Sequence, residues 1–256
     1  IQKGFLITLF TNGTLLTPTI ADLLADSPPQ IIDITLYGAT PETYETVTRV
    51  PGSYACSRRG IELLQARDLP VFLKSTIMTL NRHELRGMRN LAEQLGVQFR
   101  YDSLLWPRLD GDKRSLQYQL PIEEVIALDD EEPERIEELA QVAQSFSNKR
   151  FRAEYIYSCG AGLQSFHVNC AGQMSICLMS RQPAYNLLEM TFQEAWEGIG
   201  ALRQVKRQMD TPCMSCEIGG LCAQCPGWSR AMYGDDETPV DFICNLAHQR
   251  VVQVEY

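Results

Sequence analysis

Four thiols lie close together in the stretch Cys213-Met-Ser-Cys216-Glu-Ile-Gly-Gly-Leu-Cys222-Ala-Gln-Cys225-Pro226, with the spacing CxxC-x5-CxxC. A thiolate is a soft ligand that suits iron–sulfur clusters and zinc, and a CxxC pair brings two thiolates to one metal site. The two pairs follow each other too closely for a zinc ribbon, whose pairs lie on separate knuckles. The stretch therefore predicts a metal-binding domain in the last third of the chain.

More cysteines lie on both sides of this stretch. Cys159, Cys170 and Cys177 precede it, Cys244 follows it, and Cys56 alone lies in the first 150 residues. The total of nine is odd, and the chain is much longer than small disulfide-linked domains. We therefore expect a reducing, cytoplasmic environment in which the thiols bind metal and Cys56 is a small buried side chain.

The charge and hydropathy of the sequence disfavour several classes of protein. The 256 residues carry a net charge of −9, from 23 basic and 32 acidic side chains, which disfavours a nucleic-acid partner bound through its phosphates. No apolar run approaches the length of about 20 residues that spans a bilayer, and no signal peptide is recognisable. We expect a protein with no membrane partner, and its 45% of hydrophobic residues are enough for substantial cores.

Strand patterns alternate with helix patterns in the first hundred residues. Predicted strands cover residues 5–10, 31–36, 70–77 and 97–101, and predicted helices include 53–67 and 82–95. Two more helices are expected after Thr17 and Thr40, which are N-cap residues followed by proline. The nearly all-apolar run 5–10 is typical of a strand buried on both faces. This order predicts parallel strands with right-handed crossovers, in a barrel or a doubly wound sheet.

The pattern changes after residue 105. Residues 106–113 have the composition of a connecting loop, and residues 121–146 are helical and acidic, with the run Asp129-Asp-Glu-Glu132. Such a run indicates a solvated helix face more often than an acidic docking site. Residues 164–174 predict a hairpin that turns at Asn169-Cys170-Ala171-Gly172. Thr191 and Glu194 predict a capping box at the start of a later helix.

The complete cysteine pattern resembles that of a known module. It reads Cys159-x12-Gly172-x4-Cys177, then Cys213-x2-Cys216-x5-Cys222-x2-Cys225, then Cys244. This spacing closely resembles the SPASM domain, the C-terminal auxiliary-cluster module of peptide-modifying radical SAM enzymes. The family usually has three residues between the last two clustered cysteines, where this chain has two. The resemblance covers about residues 159–250.

The first half resembles the radical SAM partial barrel. Thr11-Asn12-Gly13 resembles the end of the third barrel strand, and Asp33-Ile-Thr35-Leu-Tyr37-Gly38 resembles the fourth, although Tyr37 replaces the usual aspartate. Thr48-Arg49-Val-Pro-Gly52-Ser53-Tyr54 resembles the segment that follows, and Met78-Thr-Leu-Asn81 resembles the end of strand five.

Together these resemblances imply an α/β fold with three parts. Residues 1–105 would form a partial (β/α)6 radical SAM barrel that lacks its first strands. Residues 106–154 would form a linker and acidic helices, and residues 155–256 a small Cys-rich α+β SPASM domain.

The motif that holds the catalytic cluster of this family does not occur in the sequence. Radical SAM enzymes bind that [4Fe–4S] cluster through CxxxCxxC after the first barrel strand, and a Gly-Gly-Glu-Pro-type motif follows the second. Neither is present here. We expect an N-terminal truncation before strand three and a fragment that is inactive alone, with a genuine pseudoenzyme as the alternative.

The resemblance implies two auxiliary [4Fe–4S] clusters, since four-cysteine ligation is usual for such clusters. It assigns one cluster to four thiols and the other to three: Cys213, Cys216, Cys222 and Cys244; and Cys159, Cys177 and Cys225. The second set lacks a fourth ligand. Cys170 is the candidate for that position, and the alternative is an open iron that binds substrate.

Contacts to S-adenosylmethionine (AdoMet) are also implied by the resemblance. The family uses a hydroxyl at the position of Thr35, and an arginine matching Arg49 to hold the methionine carboxylate through a bidentate pair. Asn12 and Asn81 lie at strand ends, where barrel chemistry collects. The alternatives are an ordinary strand residue at Thr35, a surface charge at Arg49 and a turn former at Asn12.

The resemblances imply a radical SAM/SPASM enzyme that modifies a peptide or protein substrate by 5′-deoxyadenosyl-radical hydrogen abstraction. The auxiliary clusters would transfer electrons or ligate the substrate, and flavodoxin or ferredoxin would donate electrons. Leu178 stands where sulfatase-maturing relatives have an aspartate, which argues against that subclass. His83, His167 and His248 are expected to be structural. The alternatives are a non-catalytic iron–sulfur electron-transfer or scaffold protein, and a zinc-binding module.

Overall fold

The computed structural model describes residues 4–147, 154–218 and 222–254. Contacts divide the chain into two units, the first formed by residues up to 105 together with 118–120, and the second by residues 106–117 and those from 121 onward. Residues 219–221 of the clustered-cysteine stretch and residues 148–153 of the predicted acidic linker lie outside the described residues. No described helix has the length and apolar character needed to cross a membrane.

A parallel sheet forms the centre of the first unit. Its strands follow the order β1 (Thr8–Thr11), β2 (Ile31–Thr35), β3 (Val71–Thr76) and β4 (Gln98–Asp102). Every neighbouring pair is parallel, which confirms the parallel sheet predicted from the strand–helix alternation.

Four helices connect and follow these strands: α1 (Pro18–Asp26), α2 (Pro41–Thr48), α3 (Ser53–Gln65) and α4 (Leu85–Gln94). The side chains of Thr17 and Thr40 accept hydrogen bonds from the N–H groups of Ile20 and Thr43, as the N-cap prediction requires. A 3₁₀ turn, Arg82–Glu84, leads into α4. The first turn of the predicted helix 82–95 is therefore 3₁₀ rather than α-helical.

Because the strands follow one another in sequence order and are all parallel, right-handed crossovers place all four helices on one face of the sheet. Helix α3 contacts α1, α2 and β3, and Gln65 Nε2 at its end donates to the carbonyl of Leu95 after α4, at 2.6 Å. Ile32, Ile34 and Leu73 are fully buried on this face. Helices on one side only are typical of β/α barrels, whereas doubly wound sheets carry helices on both faces.

The prediction of a strand buried on both faces at residues 5–10 is wrong. Strand β1 covers Thr8–Thr11, and among the described strands it pairs with β2 alone, at the edge of the sheet. Phe5, Leu6 and Phe10 are 70%, 79% and 60% exposed. An apolar run reads the same in a central and in an edge strand, so the sequence pattern does not distinguish them.

Two helices replace the single helical region predicted for residues 121–146: α5 (Ile122–Asp130) and α6 (Pro133–Ser147). The break falls at Pro133, because proline is unfavourable in a helix interior. Asp129, the first residue of the acidic run, is fully buried. It pairs with Arg135 and with Arg250, whose Nε lies 2.9 Å from Asp129 Oδ2. For this residue the interpretation as a solvated face is therefore wrong.

The remainder of the second unit is a small antiparallel sheet with three helices: β5 (His167–Val168), β6 (Gln173–Ser175), β7 (Tyr185–Asn186), α7 (Phe192–Leu202), α8 (Pro226–Tyr233) and α9 (Asp241–Val254). The predicted hairpin is confirmed as β5 and β6, and both hydrogen bonds of the Thr191–Glu194 capping box are present. Met174, Ile176, Ala195 and Ile199 form a fully buried core under α7.

Candidate functional site

Four of the predicted metal-binding thiols line one cavity of about 170 Å³ in the second unit. Cys213 lies in a short 3₁₀ helix, Pro212–Met214, and Cys216 follows it. Cys222 precedes α8, and Cys244 lies in the first turns of α9. The tertiary structure thus brings together residues that are 31 positions apart in the sequence.

Burial and nearby charge raise the pKa of two of these thiols, Cys222 and Cys244. Burial raises the pKa of Cys222 to about 11, with a further contribution from the charges of Cys213, Cys244 and Cys216. Burial also raises the pKa of Cys244, and Cys213 and Cys216 add to the effect. Thiolates this close together repel one another unless a positive centre lies between them. The set is therefore suited to a metal group in the cavity.

An arginine of the cavity wall has an unpaired donor. Arg207 lines the cavity, and its Nε is buried and finds no acceptor among the described residues. A buried donor without a partner costs stability, whereas the sulfur atoms of a bound iron–sulfur cluster would accept its hydrogen bond. The residues present thus fit such a cluster in both donor chemistry and space.

His248, which was expected to be structural, also lines this cavity. It lies four residues after Cys244 in α9, and residues at this spacing share one face of a helix. The spacing of four residues from Cys244 was therefore the sequence signal that could have identified His248.

A second group of thiols forms around the start of α8. Cys225 is the N-cap residue of this helix. Burial raises the pKa of its thiol, and the charges of Cys177 and Cys159 raise it further. Arg203, which the sequence analysis missed, is buried and holds the Cys159 segment by donating from Nη1 to the Cys159 carbonyl at 2.6 Å.

Cys170, the predicted candidate for the fourth ligand, lies in the turn of a hairpin. It is exposed at the tip of the β5–β6 hairpin, and residues in a strand advance about 3.3 Å each, so roughly 10 Å of strand separate Gly172 from Ser175. Ser175 is the end nearer to Cys177, since its hydroxyl donates to the Cys177 carbonyl at 3.2 Å. Cys170 thus lies at the end of the hairpin that is farther from the Ser175–Cys177 contact.

The arrangement differs from a site for a single ion. Tetrahedral zinc at 2.3 Å from each thiolate would place the sulfur atoms about 3.8 Å apart. Within the described part of the chain, no three His, Cys, Asp or Glu side chains are arranged to hold one ion. The cavity at Cys213 and Cys222 has room for a larger group.

The predicted AdoMet residues lie at the carboxyl ends of the strands in the first unit. Thr35 is the last residue of β2 and is half-buried. Arg49 follows α2 in the left-handed conformation, with φ of 58°. Its side chain is exposed, and Nη2 donates to the hydroxyl of Tyr118 at 3.0 Å. Both groups remain accessible to a ligand.

Asn81 is fully buried, and its amide is already bonded to the backbone. Its Oδ1 accepts from the N–H of Met78 at 2.9 Å, and its Nδ2 donates to the carbonyls of Tyr37 and Thr76, each at 3.1 Å. A direct contact with AdoMet would break these bonds. Asn81 therefore ties together the segments that follow β2 and β3.

Asn12 shows the geometry of a turn former. It is exposed, and its Oδ1 accepts from the N–H and the hydroxyl of Thr14, at 3.1 and 2.9 Å. Its carbonyl accepts from the hydroxyl of Ser57 at 3.0 Å, which joins the turn to α3.

Glu84 is a further structural residue of this edge that the sequence analysis missed. Its carboxylate accepts from the N–H groups of Ala39 and Thr40, at 2.6 and 3.1 Å, and from the Thr40 hydroxyl at 2.5 Å. Burial opposes its ionisation, but these hydrogen bonds prevail and hold the pKa of Glu84 below its usual 4.5. The segment after β2 is thus fixed from the start of α4.

Known proteins are similar to this chain in sequence over most of its length. No protein-family model matches the chain. It is 25% identical over 254 residues to the AdoMet-dependent heme synthase of Methanosarcina barkeri, covering 91% of this chain and 73% of that protein. Against the heme synthase of Nitratidesulfovibrio vulgaris it is 24% identical over 256 residues, covering 91% and 70%.

Among solved structures, native anSMEcpe with bound AdoMet is similar with a TM-score of 0.64 and 14% identity, covering 97% of this chain and 72% of that chain. Streptococcus suis SuiB bound to S-adenosylmethionine is similar with a TM-score of 0.60 and 13% identity, covering 94% and 60%. At these identities the likeness concerns the fold.

The chain thus shares the fold of solved proteins that bind AdoMet. The similar sequences described above carry the name AdoMet-dependent heme synthase.

Proposed function

We propose that this chain is part of a radical SAM enzyme with a SPASM domain and two auxiliary [4Fe–4S] clusters. The observation that carries the proposal is the grouping of the seven thiols into two sets around separate points of the second unit. The two sets are those that the cysteine spacing of the SPASM domain implies.

The proposed ligands follow from this grouping. The cavity cluster is assigned to Cys213, Cys216, Cys222 and Cys244, and Arg207 is assigned as a hydrogen-bond donor to it. The other cluster is assigned to Cys159, Cys177 and Cys225. Since Cys170 is exposed at the tip of its hairpin, the fourth coordination position of that cluster is proposed to be open.

For AdoMet we propose direct contacts with Thr35 and Arg49. The Arg49 guanidinium suits the methionine carboxylate, and Asn81 and Glu84 fix the loops around it. When bound at a reduced cluster, AdoMet supplies the 5′-deoxyadenosyl radical that abstracts hydrogen from the substrate. The CxxxCxxC motif for that cluster does not occur in these 256 residues, so its ligands are proposed to lie outside them.

The relatives and the structural neighbours favour different substrates. The first candidate is a carboxylated tetrapyrrole, because the relative named heme synthase is 25% identical over most of this chain. The second candidate is a peptide or protein, because anSMEcpe of the same fold was solved with bound peptides at 14% and 13% identity. We place the tetrapyrrole first because the sequence similarity is greater.

The proposed clusters require a source of electrons and protection from oxygen. We propose flavodoxin or ferredoxin as the electron donor and a reducing cytoplasm as the location. No membrane or nucleic-acid partner is part of the proposal. A non-catalytic electron-transfer protein and a zinc-binding module are the outcomes that would replace it.

Metal analysis after anaerobic reconstitution tests the ligand assignment. The chain should bind about eight iron and about eight sulfide, as two four-iron clusters require. Cys222→Ala should lose about half of the iron, whereas Cys170→Ala should retain all of it. Colourless protein with tightly bound zinc, or equal iron loss in both variants, would overturn the assignment.

A further inference from the structure

The face of the first unit's sheet that is opposite α1–α4 carries charged side chains. Alternation along the strands and the strand register place four residues on this face: Phe10 of β1, Asp33 of β2, Lys74 of β3 and Arg100 of β4. Asp33 is level with Phe10, and Lys74 is level with Arg100. Because Lys74 is level with Thr35, two residues beyond Asp33, the four side chains form a diagonal row across the four strands.

This row has a net positive charge. Asp33 is only 1% exposed; its Oδ2 pairs with Arg100, and its Oδ1 lies 4.0 Å from Lys74 Nζ. One carboxylate beside two cations leaves one positive charge in this row, in a chain whose total is −9. Asp102, the other carboxylate on this face, lies two residues beyond Arg100 and accepts from the N–H of Leu104. The Arg100 side chain is 58% exposed and that of Lys74 is 29% exposed. Both cations are therefore accessible to an anion from solvent.

An exposed aromatic surface adjoins the cations. Lys74 Nζ lies 4.0 Å from the centroid of the Phe10 ring, and Phe10 is 60% exposed. Large exposed apolar side chains beside polar groups are typical of binding surfaces. The combination suits a ligand with an apolar body and a carboxylate.

The row lies close to the proposed AdoMet site. Thr35 is level with Lys74 in the register of β2 and β3, and Lys74 is level with Arg100. Neighbouring strands are about 4.8 Å apart, so the backbones of Lys74 and Arg100 lie roughly 5 and 10 Å from that of Thr35. A carboxylate bound here would hold the rest of its molecule within a substrate's length of the cofactor.

We propose that Lys74 and Arg100 bind a carboxylate of the substrate, and that Phe10 contacts its apolar body. Asp33 holds the two cations in place and limits the site to one extra anion. The proposal rests on the proposed function, because it names the part of the sheet that selects the substrate of that enzyme. The carboxylate belongs to a tetrapyrrole side chain or to a peptide, and the binding assays distinguish these sources.

Iron-free protoporphyrin IX and its dimethyl ester are the first pair of probes. Without iron the porphyrin does not coordinate the thiols, and the ester removes only the negative charges. The full chain should bind the free acid about tenfold more tightly than the ester, since a charge-assisted pair is lost. Arg100→Gln should weaken binding of the acid by about tenfold and leave the ester unchanged.

Arg108→Gln is the matched control, because this arginine is similarly exposed, at 65%, and also pairs with an aspartate, Asp110. It should bind both porphyrins as the unaltered chain does. Lys74→Gln is a second variant of the proposed site. The comparison of acid and ester in the unaltered chain tests the proposal without any substitution.

A hexapeptide with a free C-terminal carboxylate and its amide form the second pair. A preference for the acid form in the porphyrin pair assigns the site to a tetrapyrrole, and a preference in the peptide pair alone assigns it to a peptide. The proposal is overturned if neither pair shows a preference, or if Arg100→Gln binds the preferred acid as Arg108→Gln does. These assays need neither AdoMet nor clusters, so they fail independently of the iron analysis.

Discussion

The amide of Asn81 makes three hydrogen bonds inside the first unit, to groups at the ends of two neighbouring strands. Replacing it with alanine leaves buried backbone groups without partners, which costs about 1–3 kcal/mol for each unsatisfied group. Asn81→Ala should therefore lower the free energy of unfolding by about 2–4 kcal/mol in urea titrations.

Asn12→Ala provides the comparison for this prediction. Asn12 is exposed, and the groups of Thr14 that bond to it can bond to water instead. Asn12→Ala should therefore lower the free energy of unfolding by less than about 1 kcal/mol. Equal losses for the two variants would show that Asn81 does not brace the strand ends.

Glu84 makes a pH-dependent contribution to stability. Its pKa in the folded chain lies below the usual 4.5. The stabilisation is therefore fully present above pH 4.5 and is lost as the pH falls through the lower pKa of the folded chain. Glu84→Gln should thus be less stable than the unaltered chain at pH 7, and the difference should shrink as the pH falls below 4.5. Urea titrations at several pH values measure this. A difference that is constant with pH would rule out the ionised carboxylate as its source.

At the scale of elements, α3 approaches the turn after β1 without an intervening side chain. A Cβ on Gly60 would lie 2.2 Å from the carbonyl oxygen of Gly13 and 3.3 Å from Leu16 Cδ1. Gly60→Ala should therefore destabilise the first unit by about 1–3 kcal/mol, because overpacking outweighs the gain in helix propensity. Thermal or urea unfolding measures the change.

Gly200 in α7 is the matched helical position, since a Cβ there meets nothing within 4 Å. Gly200→Ala should stabilise the chain by about 0.4–1 kcal/mol. Stabilisation by both substitutions would mean that α3 can move away from the turn at little cost.

At the scale of the whole molecule, the proposed chemistry needs a cluster that these 256 residues do not supply. Without CxxxCxxC, the chain alone should release no 5′-deoxyadenosine from AdoMet under reducing, anaerobic conditions. A polypeptide that joins it to two preceding strands carrying that motif should release it. Arg49→Ala in the joined polypeptide should weaken AdoMet binding by about 1.5–3 kcal/mol, through loss of a charge-assisted pair.

Chromatographic detection of 5′-deoxyadenosine decides this prediction. Release by the chain alone, or none by a joined polypeptide with intact clusters, would favour the electron-transfer alternative. Arg108→Gln is the control for Arg49→Ala, since it removes an exposed cation far from the predicted cofactor residues in the sequence.

Local interactions explain what the sequence by itself determined. The N-caps at Thr17 and Thr40, the capping box at Thr191 and the hairpin at Asn169–Gly172 each involve residues at most a few positions apart. Strand and helix periodicity likewise predicted the parallel sheet, and thiol spacing predicted the grouping of Cys213, Cys216 and Cys222. These features follow from backbone and side-chain preferences that act over one or two turns of chain.

Only the tertiary structure decided which residues meet. It buried Asp129 against Arg250 of α9, 121 positions away, and it exposed the apolar residues before and within β1 as well as Cys170. It also placed Glu84 at the start of α2 and aligned Asp33, Lys74 and Arg100 across one face. The physical reason is that register, crossover direction and the choice of buried face depend on contacts between distant segments, which no local pattern encodes.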